Sequence, residues 1–241
     1  MPQVIKFDGH YQLPAQVLDQ ANDKRFDHIF TNGIWGRSTG GESMSGSGST
    51  MAYTELYRQQ LSLFFNEYCK GNFTFFDAPC GDLNWITSSF RENMRYIGGD
   101  ISSELIRANQ QQHPEIELFQ FDIATDDFPQ ADIWHCRHCL FHLSLADIAM
   151  ALENYTNSDI NFALITNHFL PDAVTLDIPT GSFRNLDLTN YPFYLPNPKL
   201  WLLDYNPVSG KNALATGVWT KDEILHGVNN YKRLWSQRAQ T

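Results

Sequence analysis

No run of apolar residues in this sequence approaches the roughly 20 that a membrane-spanning helix needs, so no membrane partner is expected. The opening stretch, MPQVIKFDGHYQLP, lacks the apolar core of a signal peptide. Cysteine is scarce: four in 241 residues, without the spacing of a disulfide scaffold, so a reduced, cytoplasmic protein is the expectation. Positive charge is also short. Lys and Arg number 17 against 27 Asp and Glu, a formal net charge of -10; such a surface repels phosphate backbones and disfavours a large nucleic-acid interface. No G-x-G-x-x-G follows a strand-like run, which argues against NAD, whose pyrophosphate needs close backbone approach and a helix N-terminus. The single C-x-x-C, Cys136 to Cys139, has no separated second ligand pair and sits late in the chain. Zinc and thioredoxin-like redox roles are both disfavoured, and no metal site is expected.

What is present is a core. Hydrophobic residues make up 42% of the chain and aromatics 14%, enough for one domain with an elaborated lid. The organising stretch is FTFFDAPCGDLNW, residues 73–85. A short apolar run ends in Asp77, and a tight turn with Pro79, Cys80 and Gly81 follows. Strand, Gly-containing turn and helix is how doubly wound α/β folds open a crevice at the carboxyl ends of their strands. The next strand-like run, RYIGG, ends in Asp100, about 20 residues beyond the turn, the spacing at which an acid meets ribose hydroxyls.

Periodicity predicts helices over about 50–70, 85–92, 103–112 and 145–155, and a last one capped by Thr220. Strands are expected near 73–78, 95–99, 117–121, 131–135, 160–166, 200–204 and 213–219, an alternating α/β chain. Before the first of these lies IWGRSTGGESMSGSGS, residues 34–49. A flexible Gly/Ser linker is one reading; Trp35, Arg37 and Glu42 favour a functional loop. Residues 172–198, rich in proline and aromatics, are too long and too apolar for a disordered connection and read as a lid.

The pair DAPCGD…YIGGD resembles the first two motifs of class I S-adenosylmethionine-dependent methyltransferases, although Pro79 and Leu83 stand where glycines are common. The likeness covers about residues 34–220. It implies a doubly wound, mostly parallel, seven-stranded Rossmann-like sheet with the last strand antiparallel. The whole chain, 1–241, would be one such domain: N-terminal cap and loop 1–70, cofactor-binding core 71–168, substrate lid 169–199, and C-terminal strands and helix 200–241. S-adenosylmethionine (SAM) is the implied cofactor. Asp77, Cys80 and Gly81 would form its turn, Asp100 with Ile101 would hold the ribose, and Asp122 with Ile123 would border the adenine. Arg137 would lie near the reactive end, and Asp82 would meet the methionine amino group or cap a helix. Trp35, Glu42 and Arg184 would meet the acceptor.

Methyl transfer is an in-line displacement, and an alcohol acceptor benefits from a general base, most often His. His142 and His138, in the CRHCLFHLS segment after the fourth strand, and His168 after the fifth are the candidates. Packing is the competing role for each. The Asn/Asp-Pro-Pro-aromatic signature of base and amide N-methylation is absent. The resemblance therefore implies O-methylation of a small molecule or glycan. The alternatives are a methyltransferase on RNA or protein and a silent SAM-binding or interaction module.

Overall fold

A computed structural model describes residues 5–7, 10–34, 41–169, 175–205 and 214–238. A small antiparallel hairpin, β1 (Ile5–Phe7) and β2 (His10–Gln12), leads into two helices, α1 (Ala15–Leu18) and α2 (Asn22–Asn32). Gly33 ends α2 in the left-handed conformation, φ 58°, where glycine has no Cβ to clash. Then follow α3 (Glu55–Tyr68), β3 (Phe73–Asp77), β4 (Met94–Asp100), α4 (Ser103–Gln112), β5 (Glu117–Gln120) and β6 (Ile133–Cys136). The chain ends with α5 (Leu145–Asn157), β7 (Phe162–His168), β8 (Leu200–Tyr205), β9 (Leu214–Thr220) and α6 (Lys221–Arg238).

Seven strands form one sheet in the order β5-β4-β3-β6-β7-β9-β8. The pairs among β3, β4, β5, β6 and β7 are parallel, while β9 runs antiparallel to both β7 and β8. The expected doubly wound sheet is found, with its antiparallel strand. On one face α3 buries Tyr57, Leu61, Phe64 and Phe65 among Phe73, Phe75, Leu164 and Val218. On the other, α5 and α6 cover Trp134, Ala163, Ile165 and Trp219. Each fully buried apolar side chain of this size contributes about 1.5–3 kcal/mol.

Side chains cap three of the helices, the expected Thr220 cap among them. The Ser102 hydroxyl accepts from Leu105 N and the Ser144 hydroxyl from Asp147 N. Thr220 and Glu223 satisfy each other's backbone N–H in a capping box. One element differs. The helix expected over 85–92 is only a 3-10 turn, Ile86–Ser89. Leu83 sits at φ 57°, which an α-helix cannot continue through, and Trp85 and Ile86 are drawn down into the α3 face of the core. The helix before β3 is also shorter than expected, because residues 47–54 are spent in turns.

Candidate active site

The carboxyl ends of β3, β4 and β6 meet at the turn after β3. Ala78 N donates to His135 O and Cys80 N to Gly99 O, which fixes the turn across both neighbouring strands. Gly81, φ 59°, then directs its N–H onto Asp100 Oδ2 at 3.2 Å, while Ser102 N reaches Oδ1 at 3.0 Å. Asp100 is 2% exposed. Burial pushes its carboxyl up to about 6 against the pull of those two N–H groups.

Asp77 is braced rather than open. His135 Nδ1 donates to Oδ1 at 2.6 Å and the Tyr96 hydroxyl to Oδ2 at 2.8 Å. The other nitrogen of His135 meets the Tyr57 hydroxyl at 2.9 Å, so one buried chain ties β3, β4, β6 and α3 together. Burial, followed by the Asp77 charge, raises the Tyr96 phenol well above its usual range.

Beside this brace lies an ion cluster that includes a residue absent from the sequence expectations. Asp204, in β8, accepts from Arg137 Nε at 2.9 Å and Nη2 at 2.7 Å, and from His138 Nε2 at 3.0 Å. Burial would raise Asp204, but Arg137 and then His138 overcome it and hold the carboxyl well below the usual range. The Arg137 guanidinium also lies over the rings of Trp85, at 5.0 Å, and Tyr57, at 5.3 Å. The only sequence signal for Asp204 was an acid inside an apolar strand, WLLDY; nothing local names its partner 67 residues away.

Residues 41–49 form a strap over the turn. Ser43 Oγ, Met44 N and Ser45 N all donate to Asp82 Oδ2, and Asp82 N donates to Ser45 Oγ. Arg137 Nη2 holds Gly48 O at 3.0 Å. A Cβ on Gly48 would stand 2.9 Å from His138 Nδ1, so that nitrogen faces the strap. The loop reading is supported against the linker, and Asp82, half-buried, fastens the strap through Oδ2. Glu42, exposed, holds Met51 N and Asn84 at the strap's outer edge. Trp35 lies outside the described residues.

Two connected spaces open here. The larger, about 450 Å³, is lined by the strap from Ser45 to Ser49, and by Asp77, Cys80, Gly81, Arg137 and Phe183 among others. The smaller, about 70 Å³, is bordered by Ile101, Asp122 and Ile123. Phe30, Pro79, Asp100, His138 and His142 line both. Asp77, Cys80, Gly81, Asp100, Ile101, Asp122, Ile123 and Arg137 thus all line the cleft, and Asp82 does not. Three others expected in the site do not: Glu42, at the strap's outer edge, His168 and Arg184. His168 receives Leu186 N on Nδ1 and pins the lid, and Arg184, wholly buried, gives Nη1 to Leu143 O at 2.6 Å in the lid's core. His142 Nδ1 lies 2.8 Å from Ser182 O; a carbonyl only accepts, so Nδ1 carries the proton and Nε2 the lone pair. Burial lowers His142 to about 3 and His168 to about 4.

No protein-family profile and no curated protein matches the sequence. Solved structures do match. A Burkholderia thailandensis 1,6-didemethyltoxoflavin N1-methyltransferase with bound 1,6-didemethyltoxoflavin and S-adenosylhomocysteine (SAH) is 12% identical, with TM-score 0.58, over 91% of this chain and 98% of that one. The Synechocystis magnesium protoporphyrin IX methyltransferase with bound SAH is 12% identical, with TM-score 0.54, over 85% of this chain and 98% of that one. A SAM-dependent methyltransferase from Clostridium acetobutylicum is 11% identical, with TM-score 0.51, over 68% of this chain and 90% of that one. The chain has the fold of class I SAM-dependent methyltransferases.

Proposed function

We propose that the protein binds SAM in the two-part cleft and transfers its methyl group to the oxygen or nitrogen of a small molecule. The observation that carries this reading is Asp100, held by Gly81 N and Ser102 N at the wall shared by both spaces. A ribose there would give its hydroxyls to Asp100. The adenine would enter the apolar space between Ile101, Phe121 and Ile123 beside Asp122, and the methionine end would lie along Gly81 toward the larger space. That space falls within the roughly 300–1,000 Å³ usual for small-molecule sites. When bound, the group supplies an electrophilic methyl carbon on sulfur. The chain's own residues bind and orient it, and the strap shields it from water. The Burkholderia neighbour's small-molecule substrate supports an acceptor of modest size.

The test is calorimetric titration with SAM and SAH on wild type and on Asp100→Ala. The expected result is micromolar binding that the substitution weakens at least 100-fold, as loss of a charge-assisted pair of hydrogen bonds requires. Absence of binding to folded wild-type protein overturns the reading.

A further inference from the structure

Two buried acids share one serine beside the cleft. Asp100, at the end of β4, is aimed by two N–H groups, Gly81 at 3.2 Å and Ser102 at 3.0 Å. Both donors are tied to α4. Asn109 Nδ2 of that helix donates to Gly81 O at 2.7 Å, and Ser102 is the helix's own cap. The Ser102 hydroxyl in turn donates to Asp27 Oδ1 at 2.6 Å, and Glu104 N reaches the same oxygen at 3.4 Å. Asp27 belongs to α2, 75 residues away, and is 9% exposed. Its ion pair with Lys24, at 3.4 Å, is to an exposed lysine and is screened by solvent. The helix does not depend on this acid for its cap, because Ser102 already accepts Leu105 N. What Asp27 adds is an acceptor that fixes the Ser102 hydroxyl, and with it the turn that carries the Ser102 N–H. The same α2 borders the cleft, with Asn22, Phe26 and Phe30 along the smaller space.

We propose that Asp27 is a positioning residue for the cofactor: from α2 it fixes Ser102, and the Ser102 N–H then holds the Asp100 carboxylate where the ribose hydroxyls meet it. The proposal rests on the methyl-transfer reading above and makes the N-terminal helices part of that site. A carboxylate that is to accept two hydroxyls binds better when it is already aimed, because a free rotamer must be ordered at the moment of binding. The charge of Asp27 acts against its hydrogen bond. Burial is the main cause that raises Asp100 to about 6, the Ser102 and Gly81 N–H groups lower it, and the charges of Asp77 and then Asp27 raise it further. Substitution separates the two effects. An asparagine at position 27 keeps an acceptor for the Ser102 hydroxyl and drops the charge, whereas an alanine drops both.

The experiment is calorimetric titration with SAH at pH 7.5, with Tm measured for each variant. Asp27→Ala should weaken SAH about tenfold, the loss of one hydrogen bond to a charged group, and Ser102→Ala should reproduce that loss. Asp27→Asn should stay within threefold of wild type. In an Asp100→Ala background the effect of Asp27→Ala should shrink below threefold, since the carboxylate through which it acts is gone. An acid that served stability alone would lower Tm and leave the affinity of the folded protein where it was. Wild-type affinity in folded Asp27→Ala or in Ser102→Ala overturns the proposal. So does an Asp27→Asn as weak as Asp27→Ala, or a tenfold loss that persists without Asp100. Failure of the wild-type protein to bind SAH overturns the methyl-transfer reading and this proposal together.

Discussion

Acidification from pH 7 to pH 5 should destabilise this protein through two histidines rather than through its carboxylates. Burial sets His142 near 3 and His168 near 4, against 6.5 when unfolded. Between pH 6.5 and those values the unfolded chain takes up protons that the folded chain refuses, so stability falls with pH; linkage gives a loss of about 2 kcal/mol for each histidine, about 4 together, at pH 5. Asp100 acts in the opposite sense. Its folded value, about 6, lies above its unfolded 3.8, so the folded state binds the extra proton and regains about 1.3 kcal/mol at pH 5. The net loss is about 2.5 kcal/mol, a large share of the 5–15 kcal/mol typical of a domain. His138, also lowered by burial, adds to the loss, and Asp204 titrates below this window. Guanidinium unfolding at the two pH values, at constant ionic strength, measures the difference. The decisive variants are His142→Asn and His168→Asn. Asn Nδ2 can replace the donor to Ser182 O, and Asn Oδ1 can replace the acceptor of Leu186 N. Each should remove about 2 kcal/mol of acid sensitivity, and the double variant should cease to lose stability through these two sites. Variants that keep the full wild-type loss between pH 7 and 5 refute the assignment.

Two further outcomes follow from the ion cluster and the strap. Asp204→Asn leaves Arg137 charged and buried without its carboxylate, at a cost of about 3–5 kcal/mol, read as a fall in Tm of roughly 10 °C; an unchanged Tm would show the pair to be energetically idle. Gly48→Ala drives a methyl into His138 Nδ1, at 2.9 Å, and should lift the strap, weakening SAH binding about tenfold and exposing residues 41–53 to limited proteolysis. Wild-type affinity in that variant would mean that the strap does not cover the ligand.

The strands and the two acid-terminated motifs were legible because each is local. A buried parallel strand is a short apolar run, and Asp77 and Asp100 end theirs in sequence as in space. The second face of the site was not local. Asp204 reaches Arg137 only because β8 folds back beside β9, and Tyr57 joins His135 only because α3 crosses the sheet. Sequence pattern also could not separate the histidines. His142 and His168 both follow apolar strands, yet one lines the cleft with its Nδ1 on a lid carbonyl and the other spends its Nδ1 on a lid amide. The 85–92 segment has helical spacing, but the pull of Trp85 and Ile86 into the core outweighs it.

The lid is fastened largely by main-chain groups. Gly181 N reaches His142 O, Arg184 N reaches Phe141 O, and His168 N reaches Leu186 O, while Leu188 N lands on Asn167. Main-chain amides and carbonyls are the same whatever side chain sits between them. Phe183 lies inside this stitched segment, so its side chain can be exchanged while the seam stays closed. The cleft lining at this position is thereby separated from the bonds that hold the lid shut, and it can change by single substitution without loosening the frame.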